Sequence, residues 1–381
     1  MKFNLFAIII IFAIAKNQFL YSQNLFSFSA NGFYTIKNYS KFPDIHPGYY
    51  FGLSYGKQFN DEYQWSEFYN YPQIFISLYA VKPGNPELGL ILGICPEISL
   101  KIKSSDKINV KFKGGIGFSY NSNPYNYTEN SLNLMIGSNI TAFANGKVVI
   151  EKFYSDNLRY QFSFGAIHLS NGHLKLPNNG LNSLVVGLGV TFKKNEIKQN
   201  DILIKEFNYD HKWKKFISIS FGLHEFGSAT KPANGPKFLV YNLSSGMLFK
   251  NSASNRHYFG FNLTQYSSFK YFMTKQEFLN NNILLNSFTF GVFWGHEFLF
   301  GNCGFYTEAC LDIYKPFYRN HVRIYDSDIG LKTFIKTINS NKIGYRYTLN
   351  LNKKLKIIAG LNLKVNFGQA DFVESFILLN F

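Results

Sequence analysis

The chain has 381 residues, 46% of them hydrophobic and 19% aromatic, with 42 Phe and 26 Tyr against 16% charged residues and a formal net charge of +16. So many strand formers favour β structure over a helical bundle. Three cysteines, Cys95, Cys303 and Cys310, cannot all pair, and Cys303 and Cys310 would lie about 24 Å apart on one strand, so buried or lipid-facing thiols are expected rather than a disulfide framework.

The N-terminus, "MKFNLFAIIIIFAIAKNQFLYSQ", carries Lys2, an apolar stretch from Leu5 to Ala15 and small residues at Ala13, Ala15 and Ser22. This is the pattern of a cleaved export signal, assigned to residues 1–22 with cleavage after Ser22 preferred to cleavage after Ala15, and it lacks the cysteine of a lipoprotein signal. Without Lys2 and Lys16 the charge excess falls to about 14. In an exported chain, nucleic acid is not the expected partner; a basic rim facing anionic lipid phosphates is. Beyond the signal no apolar run is long enough for a membrane helix, which needs about 18 residues.

The dominant periodicity along the remaining chain is two. In the run Arg159 to Ser170, the even positions Tyr160, Phe162, Phe164, Ala166, His168 and Ser170 face Gln161, Ser163 and Gly165. The next run puts Asn182, Leu184, Val186, Leu188, Val190 and Phe192 opposite Ser183, Gly187 and Thr191. Phe259, Phe261 and Leu263 alternate with Tyr258, Asn262 and Thr264, and Phe288, Phe290, Val292 and Trp294 with Ser287, Thr289, Gly291 and Gly295. From Leu355 to Phe367 every odd residue is apolar, and the end "FVESFILLNF" puts Val373, Ser375, Ile377, Leu379 and Phe381 on one parity. Runs of this length, apolar on one side and small or polar on the other, suit tilted strands of a transmembrane antiparallel β-barrel of the outer membrane. A secreted sandwich would carry more charge on its polar face.

Short turns are expected at Ala144-Asn145-Gly146-Lys147, Ser155-Asp156-Asn157, Asn195 to Asn200 and Ser340-Asn341. Longer polar connections at Asn121 to Asn130, Ala229 to Pro236 and Tyr314 to Asp326 are rim candidates, and Ser131 to Tyr154 reads as one bent strand or a hairpin. Roughly 14–16 strands fit after the signal. No linker or repeat divides the chain, so one barrel over 23–381 is the default. The alternative is an eight-stranded unit ending near Phe192 followed by a second β unit.

Parity sends His168, Ser170 and Asn182 to the aromatic, lipid-facing side, and a hairpin through Asn171 to Leu181 can set Asn182 beside His168 or Ser170. Polar groups on that face cost a few kcal/mol in hydrocarbon and little near the headgroups. The bland reading is therefore a wet strand end.

The stretch "HLSN" followed by "LKLPNNGLNS" resembles the active-site segment of the outer-membrane lipid A 3-O-deacylases of the PagL type and the related acyloxyacyl hydrolase-like barrels of Bacteroidota. The likeness is strongest over 155–193, and "FLFGNCGFYTEACLDIYKPFY" and the C-terminal run look like the longer members. The resemblance implies a lipid-facing serine esterase acting on lipopolysaccharide, with Ser170 as nucleophile, His168 as its base and Asn171 helping to hold the oxyanion. Ser170 and His168 lie about 6.8 Å apart at Cα along a strand, so their side chains must lean together. Asn182 stands where the family has a glutamate that orients the histidine; an amide can orient an imidazole but stabilises its cation less. Glu374, on the inward parity, is a poor substitute, and the position of Glu151 is left open. The implied partners are lipid A and outer-membrane lipids, with no cofactor and no metal.

His173 reads as a solvated loop residue. His224-Glu225 and His296-Glu297 look like metal ligands only superficially, because neighbours on a strand point opposite ways. Two other classes remain beside the esterase: a catalytically silent barrel, and a channel, which would need a polar lumen unblocked by inward residues such as Tyr258 and Phe293.

Overall fold

In the computed structural model, which describes residues 23–37, 44–60, 63–194, 212–227, 233–325, 330–352 and 355–381, sixteen antiparallel strands close into two barrels of eight. The first contains β1 (Gln23–Ile36), β2 (His46–Gln58), β3 (Gln73–Gly84), β4 (Ile91–Ser104), β5 (Ile108–Asn121), β6 (Ile140–Phe153), β7 (Leu158–Ser170) and β8 (Leu181–Lys194). It closes where β8 pairs with β1, Phe192 opposite Phe26. The second contains β9 (Lys214–Glu225), β10 (Lys237–Lys250), β11 (Asn255–Tyr266), β12 (Phe288–Phe300), β13 (Cys303–Tyr314), β14 (Asn339–Asn350), β15 (Lys356–Asn366) and β16 (Gln369–Asn380). Here β16 returns to β9, Ile377 opposite Ile219.

The strand total agrees with the periodicity, but the single-barrel default gives way to the two-unit alternative. Alternation is the same in either arrangement, and only the closing pairs β8–β1 and β16–β9 distinguish them. Two expected turns are strand interiors. Asn145 and Lys147 project inward from the middle of β6, and Lys147 Nζ donates to the Tyr50 hydroxyl at 3.1 Å. Ser340 and Asn341 lie in β14, where the Ser340 hydroxyl donates to Asp312 at 3.0 Å. In both cases inward polar residues imitate turn chemistry, because a barrel lumen accepts what a sandwich core rejects. Ser155 to Asn157 does turn between β6 and β7, and residues 122–139 form a connection ahead of β6 rather than half of a hairpin. The export signal, the turn at Asn195 to Asn200 and parts of two rim connections lie outside the described residues.

Outward residues are apolar around both barrels: Phe26, Phe28, Phe51, Leu53, Phe162, Phe164, Leu184 and Leu188 on the first, Ile219, Phe221, Phe259, Phe261 and Ile377 on the second, all exposed. In water such a surface would be an aggregation liability; in hydrocarbon it is the matching solvent. Most long connections share one end, which bears 122–139 and 171–180 of the first barrel and the helices Ser267–Lys275, Pro316–Tyr325 and Leu331–Ile338 of the second, whereas the connection 59–72, with the helix Gln64–Phe68, lies at the opposite end. Turns such as 154–157 and 301–302 occupy the other end.

The lumens are filled, as eight strands require. In the first, Glu151 takes Lys111 Nζ at 2.6 Å, Arg159 at 3.1 Å and Gln161 at 3.0 Å, while Glu97 takes Lys113 at 3.1 Å and the Tyr79 hydroxyl at 2.7 Å. In the second, Glu374 pairs with Lys342 at 2.8 Å and Arg346 lies over the Tyr306 ring, with Tyr258 and Phe293 buried beside them. A void there measures about 20 Å³, room for about one water. The three cysteines are free, Cys95 and Cys310 buried and Cys303 half-buried.

The barrels touch side by side. The Tyr345 hydroxyl of β14 accepts Ile116 N–H of β5 at 2.9 Å, the Tyr69 hydroxyl donates to the Ser254 carbonyl at 2.9 Å, and Trp65 packs edge-on against Phe300.

Removing Glu151 strands Lys111 and Arg159 in the lumen without their shared anion. Glu151→Ala is expected to destabilise the first barrel by about 3–5 kcal/mol, read as a lower denaturant midpoint in detergent micelles. An unchanged midpoint would mean that the lumen is wetter than this packing.

Candidate functional site

β7 and β8 pair so that His168 stands directly opposite Asn182, one pair inside the end of the ladder. Both side chains leave the barrel on the outward parity that carries Phe164 and Leu184. His168 is exposed, whereas Ser170 and Asn182 are half-buried. The His168 Nδ1 and Asn182 Oδ1 atoms are 2.7 Å apart. An amide oxygen can only accept, so Nδ1 holds the ring proton and Nε2 keeps its lone pair for a base's work.

Ser170 ends β7, and its hydroxyl is engaged by the loop that follows. Asn178 Nδ2 donates to Ser170 Oγ at 2.9 Å, Gly172 N–H donates to it at 3.2 Å, and Ser170 Oγ stands 3.3 Å from Asn178 Oδ1. Of the three sequence candidates with side-chain chemistry, the structure brings His168 and Asn182 into contact and holds Ser170 on the same face with Asn178 as its partner. Asn171 is buried. Its N–H donates to Asn178 Oδ1 at 3.0 Å and its amide nitrogen to the Lys175 carbonyl at 2.6 Å, so it braces the loop.

The loop's course depends on three left-handed residues, Gly172, His173 and Gly180, at φ of 65°, 70° and 73°. Gly180 is needed twice over, because a Cβ there would sit 2.9 Å from His168 Cε1 and 3.1 Å from the Leu169 carbonyl oxygen. Asn178 and Gly180 both escaped sequence reasoning as site residues. Their signal was the Pro-Asn-Asn-Gly sequence inside the hairpin connection from Asn171 to Leu181, which pattern alone treats as a connection and not as a source of side-chain donors.

His173 is not solvated. It is buried, 6% exposed, where the loop meets the second barrel, with its carbonyl accepting Glu225 N–H at 3.0 Å and its ring 6.3 Å from that of His224. Burial pushes its imidazole below the usual range. His224 and Glu225 are both buried at the end of β9, departing from strict alternation; His224 Nε2 meets the Ser268 hydroxyl at 2.7 Å, and Glu225 Oε2 accepts Leu176 N–H at 3.0 Å. His296 instead contacts Asn255 at 2.9 Å and stacks on His257, while Glu297 points inward to Arg256 and Tyr258. Among the described residues, no three His, Cys, Asp or Glu side chains gather as a metal site. Glu374 and Glu151 both lie in the lumens, far from service to His168.

The arrangement offers an oriented imidazole facing lipid, a hydroxyl on the same strand face, and two N–H donors already directed at that hydroxyl. A family model described as lipid A 3-O-deacylase (PagL) matches residues 49–191. Among solved structures, Neisserial surface protein A (NspA) is 10% identical with a TM-score of 0.33, over 45% of this chain and 97% of its own. The outer membrane enzyme PagL is 15% identical with a TM-score of 0.29, over 42% of this chain and 97% of its own. A mutant Rh. blastica porin is 8% identical with a TM-score of 0.18, over 94% of this chain and 99% of its own. No curated protein sequence matches the chain. The matched stretch runs from β2 to β8 and includes His168, Ser170, Asn178 and Asn182, so that the likeness to the PagL family lies within the first barrel.

Proposed function

We propose that the first barrel is an esterase of the outer membrane that removes an ester-linked acyl chain from lipid A. The observation that carries this reading is the 2.7 Å contact between His168 Nδ1 and Asn182 Oδ1 on the outward face, beside Ser170 and inside the PagL match. The pair interrupts an otherwise apolar outward wall, and its geometry leaves Nε2 as the ring nitrogen turned away from Asn182. The site sits at the end that bears the 122–139 connection and the longest helical connections of the second barrel; long loops mark the extracellular end of outer-membrane barrels, so its substrate is a lipid of the outer leaflet.

In the reaction, Ser170 exchanges Asn178 for His168 as its hydrogen-bond partner, and its proton passes to His168 Nε2 as Oγ attacks the ester carbonyl. The Gly172 N–H and Asn178 Nδ2, which already donate to Oγ, are the donors within reach of the developing oxyanion. Asn171 serves by keeping the loop in shape. Collapse of the tetrahedral intermediate breaks the ester C–O bond, the leaving oxygen takes the His168 proton and departs as a hydroxyl, and an acyl-serine remains. A water, deprotonated by His168, then attacks the acyl-serine, and the proton passes from His168 to Ser170 Oγ as the fatty acid is released. Asn182 holds the ring in the working tautomer throughout. A catalytically silent barrel is the second reading, favoured by the amide at Asn182 and by the engagement of Ser170 with Asn178. Channel function draws no support from lumens filled by Glu151, Glu374, Tyr258 and Phe293.

Mass spectrometry of lipid A from cells with and without the protein tests the reading directly. Ser170→Ala should abolish release of the acyl chain while leaving a heat-modifiable, folded barrel, since one half-buried hydroxyl contributes little to stability. His168→Ala should be about as damaging, because a nucleophile and its base act as a unit. If the purified parent chain deacylates no lipid A preparation, the silent reading stands.

The loop donor is separable from the base. Asn178→Ala should lower the rate by about 10²-fold, the usual loss for one oxyanion donor, measured as initial acyl release in detergent. A rate within twofold of the parent would assign Asn178 to loop structure alone.

Asn182→Ala should cost less than His168→Ala. Asn182→Glu, which supplies a carboxylate for the imidazolium, should equal or exceed the parent in the same assay. A large loss in Asn182→Glu would show that the site is built around the amide.

A further inference from the structure

The loop that aims Ser170 is held from two sides, and one side belongs to the other barrel. Towards the first barrel, Asn179 N–H and Gly180 N–H donate to the carbonyls of Leu134 and Met135 at 3.1 and 3.0 Å. Towards the second, Glu225 makes a two-point clamp: its carboxylate accepts Leu176 N–H and its own N–H donates to the His173 carbonyl, each at 3.0 Å. Asn178 lies between these anchorages, two residues beyond Leu176, and it supplies both the amide on Ser170 Oγ and the acceptor for Asn171 N–H. At Gly172 the loop runs flat against β16, where a Cβ would come within 2.6 Å of Val373 Cγ2.

Glu225 is 1% exposed, and its other oxygen accepts Gly235 N–H. A carboxylate can take one backbone N–H on each oxygen, whereas an amide has a single acceptor oxygen and would turn its NH₂ towards the second donor. The chemistry at this position is therefore specific to an acid. The neighbouring His224 is occupied by Ser268 at 2.7 Å and stands near Asp371, so it does not compete for the loop.

We propose that the second barrel is a working part of the esterase, with Glu225 as a positioning residue that fixes Ser170 through Leu176 and Asn178. This rests on the esterase reading of the first barrel. Glu225 touches no reacting atom. Its effect is on how Asn178 is aimed, and small misplacements of a nucleophile are costly to the chemical step rather than to lipid binding.

The test uses the full chain purified in detergent, with lipid A as substrate and a fluorophosphonate as a probe of Ser170. Glu225→Ala keeps the Glu225 backbone clamp on His173, and with it the barrel contact, but frees Leu176. It should lower kcat by about 10–100-fold with KM within about twofold, and slow fluorophosphonate labelling of Ser170 by the same factor. Glu225→Gln should resemble the alanine variant, and Glu225→Asp should recover part of the rate. Heat-modifiable migration gives the folded fraction of each variant. Parent-like kcat in Glu225→Ala or Glu225→Gln would overturn the inference while leaving the esterase reading intact. So would a loss of activity that only tracks the loss of folded protein. An inactive parent chain would instead sink the esterase reading, and this inference with it.

Discussion

Hydrocarbon offers no partner to a backbone N–H or C=O, so a sheet that crosses it must close upon itself. Everything else in this chain follows from where that closure falls. With β8 returning to β1, and β16 to β9, each ring contains eight strands, and a ring of eight encloses only enough space for side chains. The interior is thereby committed to Lys111, Glu151, Lys342, Glu374 and their partners. A barrel so filled has little use for its axis.

The outer wall imposes its own discipline. An imidazole on the outward face costs least near a rim, and the pairing of His168 with Asn182 occurs one residue pair short of the end of the ladder. Strand pairing supplies the orienting contact without any further architecture, since directly paired residues bring their side chains within reach. Ser170 is different. It lies at the point where strand becomes loop, and its setting is made by Asn178, Gly172 and the left-handed turns around them.

That difference explains what could be read in advance. Period-two alternation carried the strands, their outward faces and the shared parity of His168, Ser170 and Asn182, because each is a local property of the chain. It could not carry ring closure, which depends on pairs such as Phe26 with Phe192, separated by a whole barrel. Nor could it separate a turn from a strand whose lumen face is polar, as at Asn145 and Lys147. The donors from Asn178 and Gly172 were hidden because loop geometry is tertiary. His173 looked solvated because nothing in its neighbourhood announces Glu225, 52 residues further along the chain.

The placement of both barrels in one polypeptide has a consequence for assembly. Two separate proteins that met through contacts such as Ile116 with Tyr345 would have to find each other by diffusion in the plane of the membrane, and their association would fall with expression level. Covalent linkage replaces that search by a fixed, high effective concentration. The contacts at the loop then need not supply the affinity that a free partner would require. One copy of each barrel is delivered to every site, at any dilution.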